Sequence, residues 1–176
     1  MKTHKINTSE LKSVIPTLSA GDQVFLSGCV YTARDAAHAR LMALIEKGEP
    51  LPLDIDGATI YYAGPTEAPE GRPIGSCGPT TSSRMDSLSV PLLQRGLCCM
   101  IGKGNRNSDV VEGIVKNGAV YLCAIGGAGA LAAKCITKCE VIAFPELGCE
   151  SIKRLEFDNF PLIVGIDSRG NSVFSR

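Results

Sequence analysis

Residues 23–48, QVFLSGCVYTARDAAHARLMALIEKG, decide the fold class. Residues 23–27 form a mostly apolar run of strand length. In 33–47 the period lengthens: Ala37, Leu41, Leu44 and Ile45 make one apolar stripe, and Gly48 closes the helix. Thr32 and Asp35, three residues apart, give a capping-box pattern at its start. Strand followed by amphipathic helix is the unit of an α/β chain.

The alternation continues outward from this stretch. Nineteen glycines and ten prolines cut the chain into short elements without a low-complexity linker or an internal repeat. Strands are predicted at 23–27, 58–63, 98–102, 120–125, 141–144, 162–167 and 172–174. Helices are predicted at 33–47, about 84–94 with Pro91 disturbing it, about 108–116, and about 128–137. The 176 residues fit one α/β domain over 1–176.

Lys and Arg number 18 against 18 Asp and Glu. This balance excludes a nucleic-acid scaffold held by bulk positive charge and a highly charged disordered chain, so any charge-based function is local. The opening segment MKTHKINTSELKSVIP has no apolar core for a secretory signal, and runs such as PLIVGI are too short to cross a bilayer. A soluble, cytoplasmic protein is expected, with no membrane partner. Most of the eight cysteines lie in apolar stretches, which predicts reduced, buried thiols.

Three strand-to-helix junctions carry cations. Arg34, His38, Leu41 and Ile45 share one side of the first helix, and a cation in a first helical turn opposes the helix dipole unless an anion is nearby. GPTTSSRMD (78–86) puts Arg84 behind a hydroxyl-rich loop, and IGKGNRNSD (101–109) puts Lys103 and Arg106 between a strand and a helix start. Guanidinium groups clasp carboxylates bidentately, and Gly102 and Gly104 admit close approach of a ligand to backbone. Each junction alone is explained by a snorkelling surface cation and a tight turn. The three together point to an anion site, for which a di- or tricarboxylate is the simplest ligand.

Gly127, Gly129 and Ala132 match the dinucleotide fingerprint G-x-G-x-x-A, but too little chain follows for a full pair of nucleotide-binding halves. Cys135 and Cys139 stand four residues apart on the last predicted helix, and Cys98 and Cys99 are adjacent. Neither pair has a second pair at zinc or iron–sulfur spacing.

ARDAAHARL (33–41), GPTTSSRMD (78–86), IGKGNR (101–106), GGAGALAAK (126–134) and FPELGCE (144–150) together resemble the C-terminal domain of class I, iron–sulfur fumarases. The same module forms the β subunit of two-subunit fumarases and of L(+)-tartrate dehydratases. The similarity runs from about Lys5 to Phe174. Cys77, where Ala is expected, and Asn107, where Ser is expected, depart from the pattern.

The resemblance implies a swivelling β/β/α domain and an α subunit partner holding a 4Fe–4S cluster through three cysteines, in a heterotetramer or higher oligomer. None of this chain's cysteines is then a cluster ligand. It implies hydro-lyase activity on malate and fumarate or on L-tartrate, with Arg34, Thr80, Thr81, Arg84 and Lys103 binding substrate. Thr80 and Lys103 are the catalytic candidates; Thr80 transfers a proton with help from Lys103 or from a partner carboxylate. Lower-ranked residues are Asp86, as a cap or to orient Arg84; His38, as a donor behind Arg34; and Arg106, as a partner contact. Glu146 and Glu150 are explained by a turn and a helix start. A non-catalytic carboxylate-binding or assembly module of the same fold is the alternative.

Overall fold

The structure, a computed structural model, describes residues 1–175. Four parallel strands, β2 (Gln23–Thr32), β3 (Thr59–Tyr61), β4 (Cys99–Gly102) and β5 (Val120–Cys123), pair in that order. The long antiparallel β7 (Ile152–Ile166) pairs with β5 at one end and runs back along β2, closing a five-stranded ring. Outside the ring, β1 (Thr3–Asn7) lies parallel to β2 and β6 (Ile136–Ala143) antiparallel to β7.

Helices α2 (Asp35–Lys47), α3 (Asp86–Leu93) and α4 (Ser108–Asn117) connect the parallel strands, after a four-residue turn α1 (Leu11–Val14). A short α5 (Gly129–Lys134) leads into β6. No helix among the described residues is long and apolar enough to cross a membrane.

Successive side chains of a strand point to opposite faces, so each parallel strand feeds two cores. Tyr61, Cys99, Ile101, Val120 and Leu122 join Leu26, Phe157 and Phe160 inside the ring. Ile60, Tyr62, Met100 and Tyr121 face outward, where Leu41, Leu92 and Ile114 of α2, α3 and α4 cover them. Phe157 and Phe160 stack with centroids 4.2 Å apart, and Tyr61 meets both edge-on. Burying one such side chain contributes about 1.5–3 kcal/mol. An exposed pair such as Lys12–Asp56 is screened by solvent and adds little, so the two cores dominate.

Several expectations are corrected. Residues 172–174 form no strand; only Ser172 bridges to Ile166. The helix predicted to 137 stops at Lys134, because β-branched Ile136 and Thr137 enter β6 against β7. β1 and the first two-thirds of β7 were not predicted. The capping box does not form: Thr32 is still in β2, its Oγ1 donating to Ser151 O (3.3 Å) and accepting from Lys153 N (3.0 Å). Arg34 is the residue at which the chain turns into α2, and Gly48 closes that helix with φ 67°. All eight cysteines are free, but only Cys77, Cys98 and Cys99 are buried and Cys149 is exposed. Cys135 ends α5 and Cys139 lies in β6, so the two do not share a helix face.

Candidate active site

The carboxyl ends of β2, β3, β4 and β5 lie at one rim of the ring, the end at which open parallel sheets commonly bind ligands. After β2, Ala33 N donates to Tyr61 O (3.1 Å) and the chain turns at Arg34 into α2. After β3, Tyr62 accepts at its carbonyl from Thr80 N (2.7 Å), which brings the hydroxyl-rich loop to this rim. Thr81 bridges Lys103, and Ser82 N donates to Lys103 O (3.0 Å). Beyond β5, a Cβ on Gly126 would stand 3.3 Å from Lys103 Cδ and 3.6 Å from its Nζ, so the lysine side chain lies against this glycine.

Arg84 Nε donates to Asp35 Oδ1 (3.0 Å), while Arg34 Nη2 lies 3.8 Å from Asp35 Oδ2. Arg34, Thr80, Thr81, Arg84 and Lys103, from three junctions of the sequence, are thereby linked through neighbouring loops at one rim. Arg84 remains about half exposed at 52 %. Glu150 Oε1 stands 3.8 Å from Arg34 Nε and accepts from Ala36 N (3.4 Å) at the start of α2. Glu146 pairs with Arg40 at 2.7 Å.

A buried network sets the two loops against each other. Gly104 O accepts the Tyr121 hydroxyl proton (2.8 Å), leaving Ser82 Oγ to donate to Tyr121 Oη (2.8 Å). Gly102 is required here, since a Cβ would collide with Ser82 Oγ and lie 2.8 Å from Tyr62 Cδ2. Arg106 is buried between the rings of Tyr62 and Tyr121, its guanidinium carbon 5.3 and 5.1 Å from their centroids. Its Nε donates to Asp86 Oδ1 (2.6 Å) and its Nη2 to Ser89 Oγ (2.9 Å).

Two expectations therefore change. Arg106 is enclosed within this chain and is not a partner contact. Asp86 pairs with Arg106 and accepts from Asn107 N (2.9 Å); it does not orient Arg84. Asn107 caps α4, its side chain accepting from Val110 N (3.0 Å), a role Asn fills as well as Ser. Cys77 packs inside the ring, where burial pushes its thiol up to about 12.

His38 is wholly buried, and its Nδ1 donates to the Arg34 carbonyl (2.9 Å). Burial pushes the imidazole down to about 4, so the ring is neutral at neutral pH. Sequence reading passed over Asp35 as a contact of the arginines and Tyr121 as a clamp. Asp35 carries only a helix-start signal, and Tyr121 reads as one more apolar strand residue.

Of the glycines of the dinucleotide-like motif, Gly129 serves close packing, Cys77 N donating to its carbonyl at 3.0 Å, while Gly127 takes a positive φ of 76° with open space around it. Among the described residues, no three His, Cys, Asp or Glu side chains come together as metal ligands. This chain's own residues therefore do not fit a 4Fe–4S cluster.

The fold and the rim define an α/β chain with cations and hydroxyls gathered at its parallel strand ends. The sequence matches the family described as fumarase C-terminus over residues 1–176, and the chain belongs to that family. It is 43 % identical to fumarate hydratase 2 of Leishmania major over 89 % of this chain and 28 % of the relative. It is 42 % identical to the anaerobic class I fumarate hydratase of Escherichia coli, over 94 % of this chain and 31 % of the relative. The L(+)-tartrate dehydratase subunit beta of Escherichia coli is 35 % identical, over 97 % of this chain and 87 % of the relative. The chain thus spans under a third of these fumarate hydratases but most of the tartrate dehydratase subunit.

Proposed function

We propose that this chain, a single module over 1–176, is the β subunit of an iron–sulfur hydro-lyase acting on a four-carbon hydroxy-dicarboxylate. The reaction is malate to fumarate, or L-tartrate to oxaloacetate, with loss of water. The observation that carries this reading is the gathering of Arg34, Thr80, Thr81, Arg84 and Lys103 at one rim. The likeness to the L(+)-tartrate dehydratase subunit beta over 87 % of that relative supports the subunit assignment.

Taking a proton from the carbon beside a carboxylate builds negative charge on that carboxylate, and preorganised cations stabilise it as it forms. Arg34, Arg84 and Lys103 supply that charge, Thr81 contributes to binding, and Thr80 handles the proton. A hydroxyl is a weak base, so Thr80 works with the Lys103 amine or with a carboxylate of the α subunit. On this reading the 4Fe–4S cluster is held by the α subunit and supplies Lewis-acid chemistry there. The domain is of the swivelling β/β/α type, works in the cytoplasm and assembles as a heterotetramer or higher oligomer. Exposed Ile125 and Leu131, at 67 % and 63 %, flank an apolar groove beside the Gly126 loop and support a cover by the α subunit.

Co-expression with an α subunit, anaerobic cluster reconstitution and assay on malate, fumarate and both tartrates test the reading. Arg84→Ala and Lys103→Ala are each expected to cut kcat/KM by about 100-fold or more. An unchanged value in either would sink the site assignment, and dicarboxylate binding without turnover would favour the non-catalytic module.

A further inference from the structure

We infer that Asp35 is a positioning residue for Arg84 at the rim, an inference that rests on the proposed role of Arg84. Asp35 is the first residue of α2, and its carboxylate lies between side chains brought together from β2–α2 and from the loop before α3. Its Oδ1 accepts from Arg84 Nε at 3.0 Å. Its Oδ2 is buried without a hydrogen bond, 3.8 Å from Arg34 Nη2. Arg34 Nε is likewise buried without a hydrogen bond, 3.8 Å from Glu150 Oε1.

Asp35 performs two tasks. One is electrostatic: two guanidinium groups at one rim repel each other, and a carboxylate between them offsets that repulsion before substrate arrives. The other is geometric. A half-exposed arginine samples many rotamers, and fixing one is an entropic cost on ligand binding. By engaging Nε, Asp35 holds the Arg84 side chain and leaves both terminal nitrogens without a hydrogen bond among the described residues. Those two nitrogens form the edge that meets a carboxylate through parallel hydrogen bonds. Arg34, with its nearest carboxylates at 3.8 Å, is not held by a hydrogen bond to either.

An acidic residue in the first turn also stabilises a helix, so loss of activity in Asp35→Ala alone would not separate positioning from folding. The decisive measurement is a double-mutant cycle on the complex with its α subunit, using kcat/KM for L-malate and for L-tartrate. Wild type, Asp35→Ala, Arg84→Ala and the double variant are compared, with Asp35→Asn as the conservative replacement that keeps an acceptor oxygen. Asp35→Ser repeats the cycle with a side chain suited to a helix start but too short for Arg84.

Asp35→Ala and Asp35→Ser are expected to lose about 10-fold or more, Asp35→Asn, which keeps the acceptor but not the charge, to lose less than either, and the double variant to match Arg84→Ala. Losses that multiply in the double variant, or no loss in Asp35→Ser, overturn the role of Asp35 while leaving the site assignment in place. An unchanged kcat/KM in Arg84→Ala overturns the site assignment, and this role with it.

Discussion

Arg84 and Arg106 look alike in sequence, each following a loop that contains glycine and preceding a helix, yet their surroundings are opposite. Arg106 is enclosed by two tyrosine rings and paired to Asp86, whereas Arg84 keeps half its surface and one carboxylate contact. The sequence locates such cations but does not say which is buried, because the partners of Arg106 lie just after β3, in β5 and in α3, on other elements of the chain. His38 was legible in the same partial way: its helix face could be read, its full burial could not. That burial makes a prediction. Between pH 6.5 and about 4 the unfolded chain binds a proton at His38 that the native chain excludes. Stability therefore falls as pH drops through that window, by up to about 1.4 kcal/mol per pH unit, and this contribution levels off below it. Urea midpoints measured from pH 7 to 4 should show the fall, and His38→Phe should flatten it.

Among the elements, the sequence disclosed those whose pattern is local. β3, β4 and β5 are apolar runs covered on both faces, and α2, α3 and α4 show helical periodicity between turn residues. β7 was hidden because Lys153, Arg154, Glu156 and Asp158 interrupt it, and Asn159 takes a positive φ of 48° just before Phe160 and Pro161. β1 buries only Ile6, so its sequence THKIN carries almost no strand signal. At this scale the loops depend on the strand beneath them: Tyr121 in β5 ties Ser82 in one loop to Gly104 in the other. Tyr121→Phe leaves both groups without that partner and is expected to lower stability by about 1–3 kcal/mol. Gly102→Ala, which drives a methyl into Ser82 and Tyr62, is expected to cost more. Chemical denaturation of the two variants beside wild type checks the order.

At the scale of the whole molecule, zero net charge conceals a rim where Arg34, Arg84 and Lys103 are concentrated. The apolar groove beside that rim, lined by Ala124, Ile125, Ala128 and Leu131, was not legible because its walls come from β3, the segment after β5, α5 and β7. Leu131→Asp is expected to weaken assembly with the α subunit by about 10-fold or more while leaving the thermal midpoint of the free chain within a few degrees. Sedimentation of the mixed subunits measures the first and calorimetry the second. The closed ring also has a mechanical meaning. A sheet with free ends can flex and slide, but a loop of strands fastened through β7 can change the spacing between its ends only by breaking rungs. The cations on its rim keep their spacing as teeth on one gear, so that any displacement of the ring carries them together.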